Sequence, residues 1–326
     1  MDNQVAAVHV ADLRYKYGDR EALRGLSLDV RPGELFAVLG PNGSGKTTFF
    51  RILSTLAPLQ QGTVSVFGAD LKTQADQVRA ALGVVFQAPS LDKHLTVNEN
   101  LRCHGLLYGL SGATLLRRCE EMLEQLGVAD RAEDKVGDLS GGLRRRVELA
   151  QGMLHSPRLL LLDEPSTGLD PAARSDLWRY LAQARDAEGV TVLTTTHLLE
   201  EADRADRIAI VHEGRVAALD TPDALKSQVG GDSITLRTEN PSELAAAITE
   251  KFDVPANVLD HSVRLEQPGG AAWAPKLFEA FGDRITELTI GKPSLEDVFI
   301  DRTGHRFFGS EFKSAEETAK KKKRKH

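Results

Sequence analysis

From Val8 to Val30 apolar and polar positions alternate in two short runs, VHVADLRY and LSLDV, separated by the turn-forming YGDRE. A period of two puts every second side chain on one face, so both runs predict β-strands. ELFAVLG is apolar almost throughout, as a strand covered on both faces would be, and it runs through a glycine-rich stretch into the helical TTFFRILSTL. GTVSVFG and LGVVFQ predict further strands. Between Ala88 and about Ser156 the apolar spacing becomes helical, in VNENLRCHGLLYGL, LLRRCEEMLEQLGV and LRRRVELAQGMLHS. Strand patterns return in RLLLLDEP, VTVLTTTH and DRIAIVHEG, with helices between them. This order predicts an α/β core on a mostly parallel sheet, interrupted by a helical insertion over about residues 88–157.

Near Gly230-Gly231 the texture changes. Strands are predicted at ITLRT, SVRLEQ and RITELTI, and helices at PSELAAAITEKF, AAWAPKLFEAF and PSLEDVFIDRTG, with room for one more short strand near NVLD. The expectation is a first domain over 1–229 and a small α+β domain of ferredoxin-like type over 230–305. A tail over 306–326 ends in KKKKRKH and is expected to be disordered and basic. Its bland reading is a solvated end. The sharper one is contact with anionic lipid headgroups, each basic residue near the surface contributing about 1 kcal/mol.

Composition adds mainly exclusions. The 326 residues are 41% hydrophobic and 27% charged, ordinary for a globular chain, and the formal net charge of −6 argues against nucleic acid as a partner. No run of about 18 apolar residues, the length that spanning a bilayer needs, occurs in the chain, and MDNQVAAVHVADLRY lacks the basic and apolar regions of a secretion signal. Cys103 and Cys119 lack metal-ligand or CxxC spacing, so they read as buried or idle thiols of a reducing compartment.

The chemistry concentrates at GPNGSGKTT, which fits GxxxxGK[ST] between a predicted strand and a predicted helix. Gly40, Pro41, Asn42, Gly43, Ser44, Gly45, Lys46, Thr47 and Thr48 form a loop whose N–H groups turn toward phosphate oxygens at a helix N-terminus. Lys46 can reach the β- and γ-phosphates, and the Thr47 hydroxyl can ligate Mg²⁺. In RLLLLDEPSTGLD two acids emerge from a doubly buried strand, where a cation or a polarised water must compensate them. Asp163 suits a Mg²⁺-linked role, and Glu164 can accept a proton from an attacking water. His197 ends the next strand. Alone it reads as structural or as a γ-phosphate contact, and the sequence leaves both open.

LSGGLRRRVELA poses a separate puzzle, because it looks like a second anion-binding helix mouth in a chain that already has one. Ser140 is a natural N-cap, and Gly141 and Gly142 free the backbone for close approach to an anion. The competing reading is a well-capped amphipathic helix with Arg144 to Arg146 as its solvated face.

Taken in order, these motifs resemble the ATP-binding subunits of ABC transporters over about residues 6–225. GPNGSGKTT is similar to Walker A, LLLLDE to Walker B, LSGGL to the signature and STGLD, with Asp170, to the D-loop. Gln87 resembles the Q-loop glutamine, His197 the switch histidine and Tyr17 the aromatic that stacks on adenine. The resemblance implies a P-loop ABC ATPase core with a helical insertion and an antiparallel β subdomain, and ATP and Mg²⁺ as cofactors. It also implies that two such domains pack head to tail. Ser140, Gly141 and Gly142 would then meet the γ-phosphate held by the partner copy, which answers the puzzle. Thr47 and Gln87 would ligate Mg²⁺ with Asp163 behind them, while Glu164, His197 and Lys46 carry catalysis. Leu143 departs from the usual signature glutamine, which bears on dimer or membrane-partner contacts.

PSLEDVFIDRTG and PSLDKHLTVNENL further resemble ATPase subunits of the ABC-2-type exporters of the daunorubicin-resistance, polysaccharide and nodulation-factor group. That implies a homodimer at the cytoplasmic face of the cell membrane, peripheral to a separately encoded transmembrane permease subunit, with no nucleic-acid partner. The alternative is an ABC ATPase acting in translation or on DNA. It is disfavoured by the single Walker A and by the roughly hundred residues of ordinary helices before the signature. A regulatory module without turnover is disfavoured by Glu164 and His197. PSLEDVF is also an ordinary helix start, with Ser294 as N-cap and Asp297 three residues on.

Overall fold

The computed structural model describes residues 5–259 and 261–307, so nearly all of the basic tail lies outside the described residues. The alternating runs become β1 (Val8–Tyr17) and β2 (Arg20–Val30), an antiparallel pair. β3 (Leu35–Leu39) is buried at every position and leads through the glycine-rich loop into α1 (Lys46–Leu53). β4 (Gln61–Val66) and β5 (Ala69–Asp70) complete an antiparallel sheet of order β2-β1-β4-β5. Then follow α2 (Ala75–Ala81) and β6 (Leu82–Val85).

The predicted helical insertion contains α3 (Val97–Leu107), α4 (Gly112–Gln125) and α5 (Gly141–Met153), which pack on one another. Thr96 and Glu99 close a capping box at the start of α3, satisfying two backbone donors that a helix end leaves open. After β7 (Leu159–Asp163) come α6 (Pro171–Glu188), β8 (Thr191–Thr196), α7 (Leu199–Ala202), β9 (Arg207–His212) and β10 (Arg215–Asp220). The second sheet has the order β10-β9-β3-β8-β7-β6, and its strands from β9 to β6 run parallel.

One apolar core binds the two sheets. Phe49, Phe50, Ile52 and Leu53 of α1 sit between Leu13, Leu26 and Val64 of the antiparallel sheet and Phe36, Leu161 and Leu193 of the parallel one. Burial of each large side chain contributes about 1.5–3 kcal/mol. The helix is therefore held along its length, which fixes where its N-terminus points.

The chain divides between Leu219 and Asp220 into two compact units. The second begins with α8 (Pro222–Gln228) and β11 (Asp232–Arg237), then α9 (Pro241–Phe252), β12 (Asn257–Leu259), β13 (Ser262–Gln267), α10 (Trp273–Phe281), β14 (Glu287–Gly291) and α11 (Leu295–Thr303). Its antiparallel order, β12-β13-β11-β14, is that of a ferredoxin-like βαββαβ unit, and β12 is the extra strand expected near NVLD. Ser294 and Asp297 form the expected capping box on α11, and the Asp297 carboxylate also pairs with the buried Arg264. The α/β class, the antiparallel β subdomain and the ferredoxin-like unit all match the sequence reading. Among the described residues no helix is long and apolar enough to cross a membrane. Cys103 is exposed, Cys119 buried, and both are free.

Candidate nucleotide site

Parallel strands that neighbour one another end on the same edge of a sheet, and that edge is where α/β sheets place ligands. The order β3-β8-β7-β6 therefore lines up four carboxyl ends. These carry the glycine-rich loop, His197, the Asp163-Glu164 pair and Gln87, which are far apart in sequence.

The loop keeps its curvature because two glycines adopt a left-handed backbone, Gly43 at φ 81° and Gly45 at φ 110°. Gly45 is the N-cap of α1, and a Cβ there would stand 2.8 Å from Leu23 Cδ2 and 2.9 Å from the Ala22 carbonyl. A Cβ on Gly40 would overlap the Val211 carbonyl and lie 2.6 Å from Ser44 Oγ. Ser44 is 3% exposed, and its hydroxyl has no hydrogen-bond partner among the described residues. The buried Lys46 Nζ donates to the carbonyls of Gly40 at 2.7 Å and Pro41 at 3.2 Å, and stands 3.4 Å from Glu164 Oε1. Asn42, Gly43, Thr47 and Thr48 line a cleft of about 180 Å³ together with the exposed Tyr17 and the buried Glu164. Arg20 lines it too, and sequence reasoning missed it; a basic residue three positions after Tyr17 was the available signal.

Glu164 is a non-glycine residue at φ 46°, a conformation that costs on the order of 1–3 kcal/mol. Its amide is held twice, donating to the Thr195 carbonyl at 3.2 Å and to Thr195 Oγ1 at 3.0 Å. The same hydroxyl donates to Asp163 Oδ1 at 2.6 Å. Thr195 thus aims both acids, a role the sequence did not reveal although VTVLTTTH buries three consecutive threonines.

Burial alone would raise the Glu164 carboxyl, but His197 and the Lys46 charge outweigh it and hold the group below the ordinary range. Asp163 goes the other way: burial raises it, with only the Thr195 hydroxyl and more distant Lys46 opposing. His197 Nδ1 is 3.1 Å from Glu164 Oε2, and this contact lifts the imidazole above its usual value against the effect of burial. Gln87 Nε2 donates to the same Oε2 at 3.2 Å.

The signature lies elsewhere. Ser140 caps α5, its hydroxyl accepting from the Leu143 amide at 3.3 Å. Gly141 is exposed, with nothing within 4 Å of where a Cβ would sit, while Gly142 faces Ala173 at 3.2 Å. Asp170 caps α6 through the Ala173 amide at 2.8 Å. None of these four lines the cleft around Lys46. The solvated-face reading of Arg144 to Arg146 fails at Arg145, which is buried against Glu148 and the Phe86 carbonyl.

Residues 23–167 match the family model for ABC transporters. The chain is 39% identical to the daunorubicin resistance ATP-binding protein DrrA2 of Streptomyces coeruleorubidus, over 95% of this chain and 98% of that one. It belongs to the ABC transporter family.

This ABC ATPase is also 40% identical to the Nod factor export ATP-binding protein I of Burkholderia lata, over 92% of its own length and 98% of the relative's. A dimeric ATP-binding cassette solved in a post-hydrolysis state with ADP and Pi shares its fold at a TM-score of 0.60 and 27% identity, covering 66% of this chain and 98% of that one. The ABC ATPase binds and hydrolyses ATP as a subunit of a transporter.

For Mg²⁺ the fit can be tested on the residues themselves. Among the described residues no group of three or more His, Cys, Asp or Glu could cage a metal. Mg²⁺ sites in nucleotide enzymes need only one or two protein oxygens beside the substrate phosphates. The exposed Thr47 hydroxyl lines the cleft, the buried Asp163 carboxylate stands next in sequence to Glu164, which also lines it, and with the Gln87 amide oxygen they make three hard oxygen donors. The donor set fits.

Proposed function

We propose that this chain is the ATP-hydrolysing subunit of an ABC exporter in which two copies close head to tail on ATP. Closure drives efflux through a separately encoded permease at the cytoplasmic face of the cell membrane. One observation carries the reading: Lys46 and Glu164 share one cleft with His197 against Glu164, while the exposed second anion mouth at Ser140 and Gly141 is not part of its lining. On this reading a phosphate in the first mouth is met by the second from another copy. The dimeric cassette with ADP and Pi supports pairing of two copies, and the drug-resistance and Nod-factor relatives support export.

In this mechanism Tyr17 stacks on adenine, and the amides from Asn42 to Thr48 hold the phosphates at the start of α1. Lys46 exchanges its loop carbonyls for phosphate oxygens. Thr47, Gln87 and Asp163 would hold Mg²⁺, which when bound would neutralise charge on the terminal phosphates. Glu164, kept ionised, accepts the proton of the attacking water, and His197 steadies both that carboxylate and the γ-phosphate. Ser140, Gly141 and Gly142 donate to the same phosphate from the partner copy, so closure depends on an intact nucleotide. Hydrolysis releases the grip, and the two copies part.

The test compares two substitutions in purified full-length chain. Glu164→Gln is expected to bind ATP and release phosphate at a small fraction of the parent rate, and Lys46→Ala to lose nucleotide binding. A Glu164→Gln chain that hydrolyses ATP at the parent rate removes the base assignment.

A further inference from the structure

The buried Arg145 has no place in the mechanism above, yet it stands between two parts of it. Residues 86–90 leave β6 as an irregular stretch whose backbone polar groups need partners. α5 supplies them. Arg145 Nη1 donates to the Phe86 carbonyl at 2.8 Å and to Glu148 Oε2 at 2.7 Å, and Nη2 reaches the Gln87 carbonyl at 3.5 Å. Glu148 Oε1 accepts from the Ser90 amide at 3.1 Å. Side chains three apart on one helix therefore grip both ends of the segment that carries Gln87. Gln87 in turn donates to Glu164. Further along α5, Gly152 presses on β6, where a Cβ on Gly83 would overlap the Gly152 carbonyl. The far end of the helix is seated on β6, while its mouth at Ser140 and Gly141 is exposed.

We propose that Arg145 and Glu148 are a positioning pair that carries capture of the partner's phosphate at Ser140 into the placement of Gln87 and Glu164 in the same chain. A helix seated at Gly152 and loaded at Ser140 shifts about its seat, and the guanidinium fork moves the Phe86 and Gln87 carbonyls with it. Each signature then reports occupancy of the partner's cleft to its own, so the two ATP sites act together. A buried ion pair adds little stability over apolar residues of the same size; it supplies direction instead. The guanidinium suits this work because its planar fork serves two carbonyls and a carboxylate at once. The proposal rests on the head-to-tail reading above.

The test replaces the pair with residues of similar volume, Arg145→Met with Glu148→Leu, which leaves no buried charge alone. At saturating Mg·ATP kcat is expected to fall roughly tenfold or more, with KM for ATP within about threefold of the parent. In a Glu164→Gln background the same pair is expected to keep ATP-driven dimerisation, read by light scattering. Arg145→Lys, which keeps the charge but not the fork, should give an intermediate kcat at unchanged dimerisation. Glu148→Gln, which keeps shape and the acceptor for Ser90, checks the result should the double variant melt early, and it should show the same split. A kcat within about twofold of the parent in both, or losses of kcat and dimerisation that track one another, overturns the proposal. Failure of the underlying reading looks different: Glu164→Gln with the pair intact would then stay monomeric in ATP.

Discussion

Thr195→Val isolates the hydroxyl that aims the two acids. Valine matches the shape of the fully buried threonine, so no cavity opens, and only the polar contacts change. The Glu164 amide keeps its bond to the Thr195 carbonyl at 3.2 Å, so the cost falls mainly on Asp163, which loses a 2.6 Å bond. A hydrogen bond to a charged group contributes about 1.5–3 kcal/mol, and that is the expected loss of unfolding free energy near neutral pH. The pH dependence follows from the direction of the Asp163 shift. Burial holds its carboxyl above the ordinary aspartate value of 3.8, and the Thr195 bond is the main opposing influence, so the valine variant raises it further. With the folded value above the unfolded one, the folded state binds more protons in between, and stability falls as pH rises through that window. The penalty of the substitution is therefore full above the raised value and shrinks toward pH 3.8, where Asp163 is increasingly neutral in both states. Urea denaturation of parent and variant at neutral and acid pH measures the difference. A penalty below about 0.5 kcal/mol at neutral pH, or one that does not shrink on acidification, refutes the assignment.

Two further expectations concern the same cleft. His197→Ala removes one of the two partners that hold Glu164 down, leaving Lys46 alone against burial, so the acid limb of the kcat–pH profile should move to higher pH along with a lower maximum; an unmoved limb would separate His197 from Glu164. Gly45→Ala places a Cβ 2.8 Å from Leu23 Cδ2 at a left-handed φ, which should cost about 1–3 kcal/mol and weaken ATP binding. Thermal melting with and without ATP reads both effects, and a parent-like melting temperature would show that the loop tolerates a right-handed backbone.

What was legible in the sequence followed from local pattern. ELFAVLG with its glycines, and RLLLLDE with its acids, declare themselves because a doubly buried strand and a phosphate loop leave unmistakable compositions. Even β12 could be anticipated, since a ferredoxin-like unit needs a fourth strand and NVLD had the only room for it. The failures have a common cause. Arg145 reads as solvated because its partners, the Phe86 and Gln87 carbonyls, lie about sixty residues away. Thr195 reads as an ordinary strand residue because its bonds to Asp163 and Glu164 cross between neighbouring strands. α2, with Val78 its only buried position, left no apolar stripe to find. Local period reveals elements. It does not reveal which polar groups a distant segment will satisfy.

The central claim is that each ATP is gripped by the loop of one copy and the signature of another. It is tested most directly by mixing two inactive chains, one carrying Lys46→Ala and the other Gly141→Asp with Ser140→Arg. The mixture contains pairs with one intact site, built from the second chain's Lys46 and the first chain's Ser140. The account predicts ATP hydrolysis in the mixture that neither chain shows alone. Hydrolysis no greater than the sum of the two separate chains, although the chains are shown to pair, would mean that each nucleotide is held within a single copy.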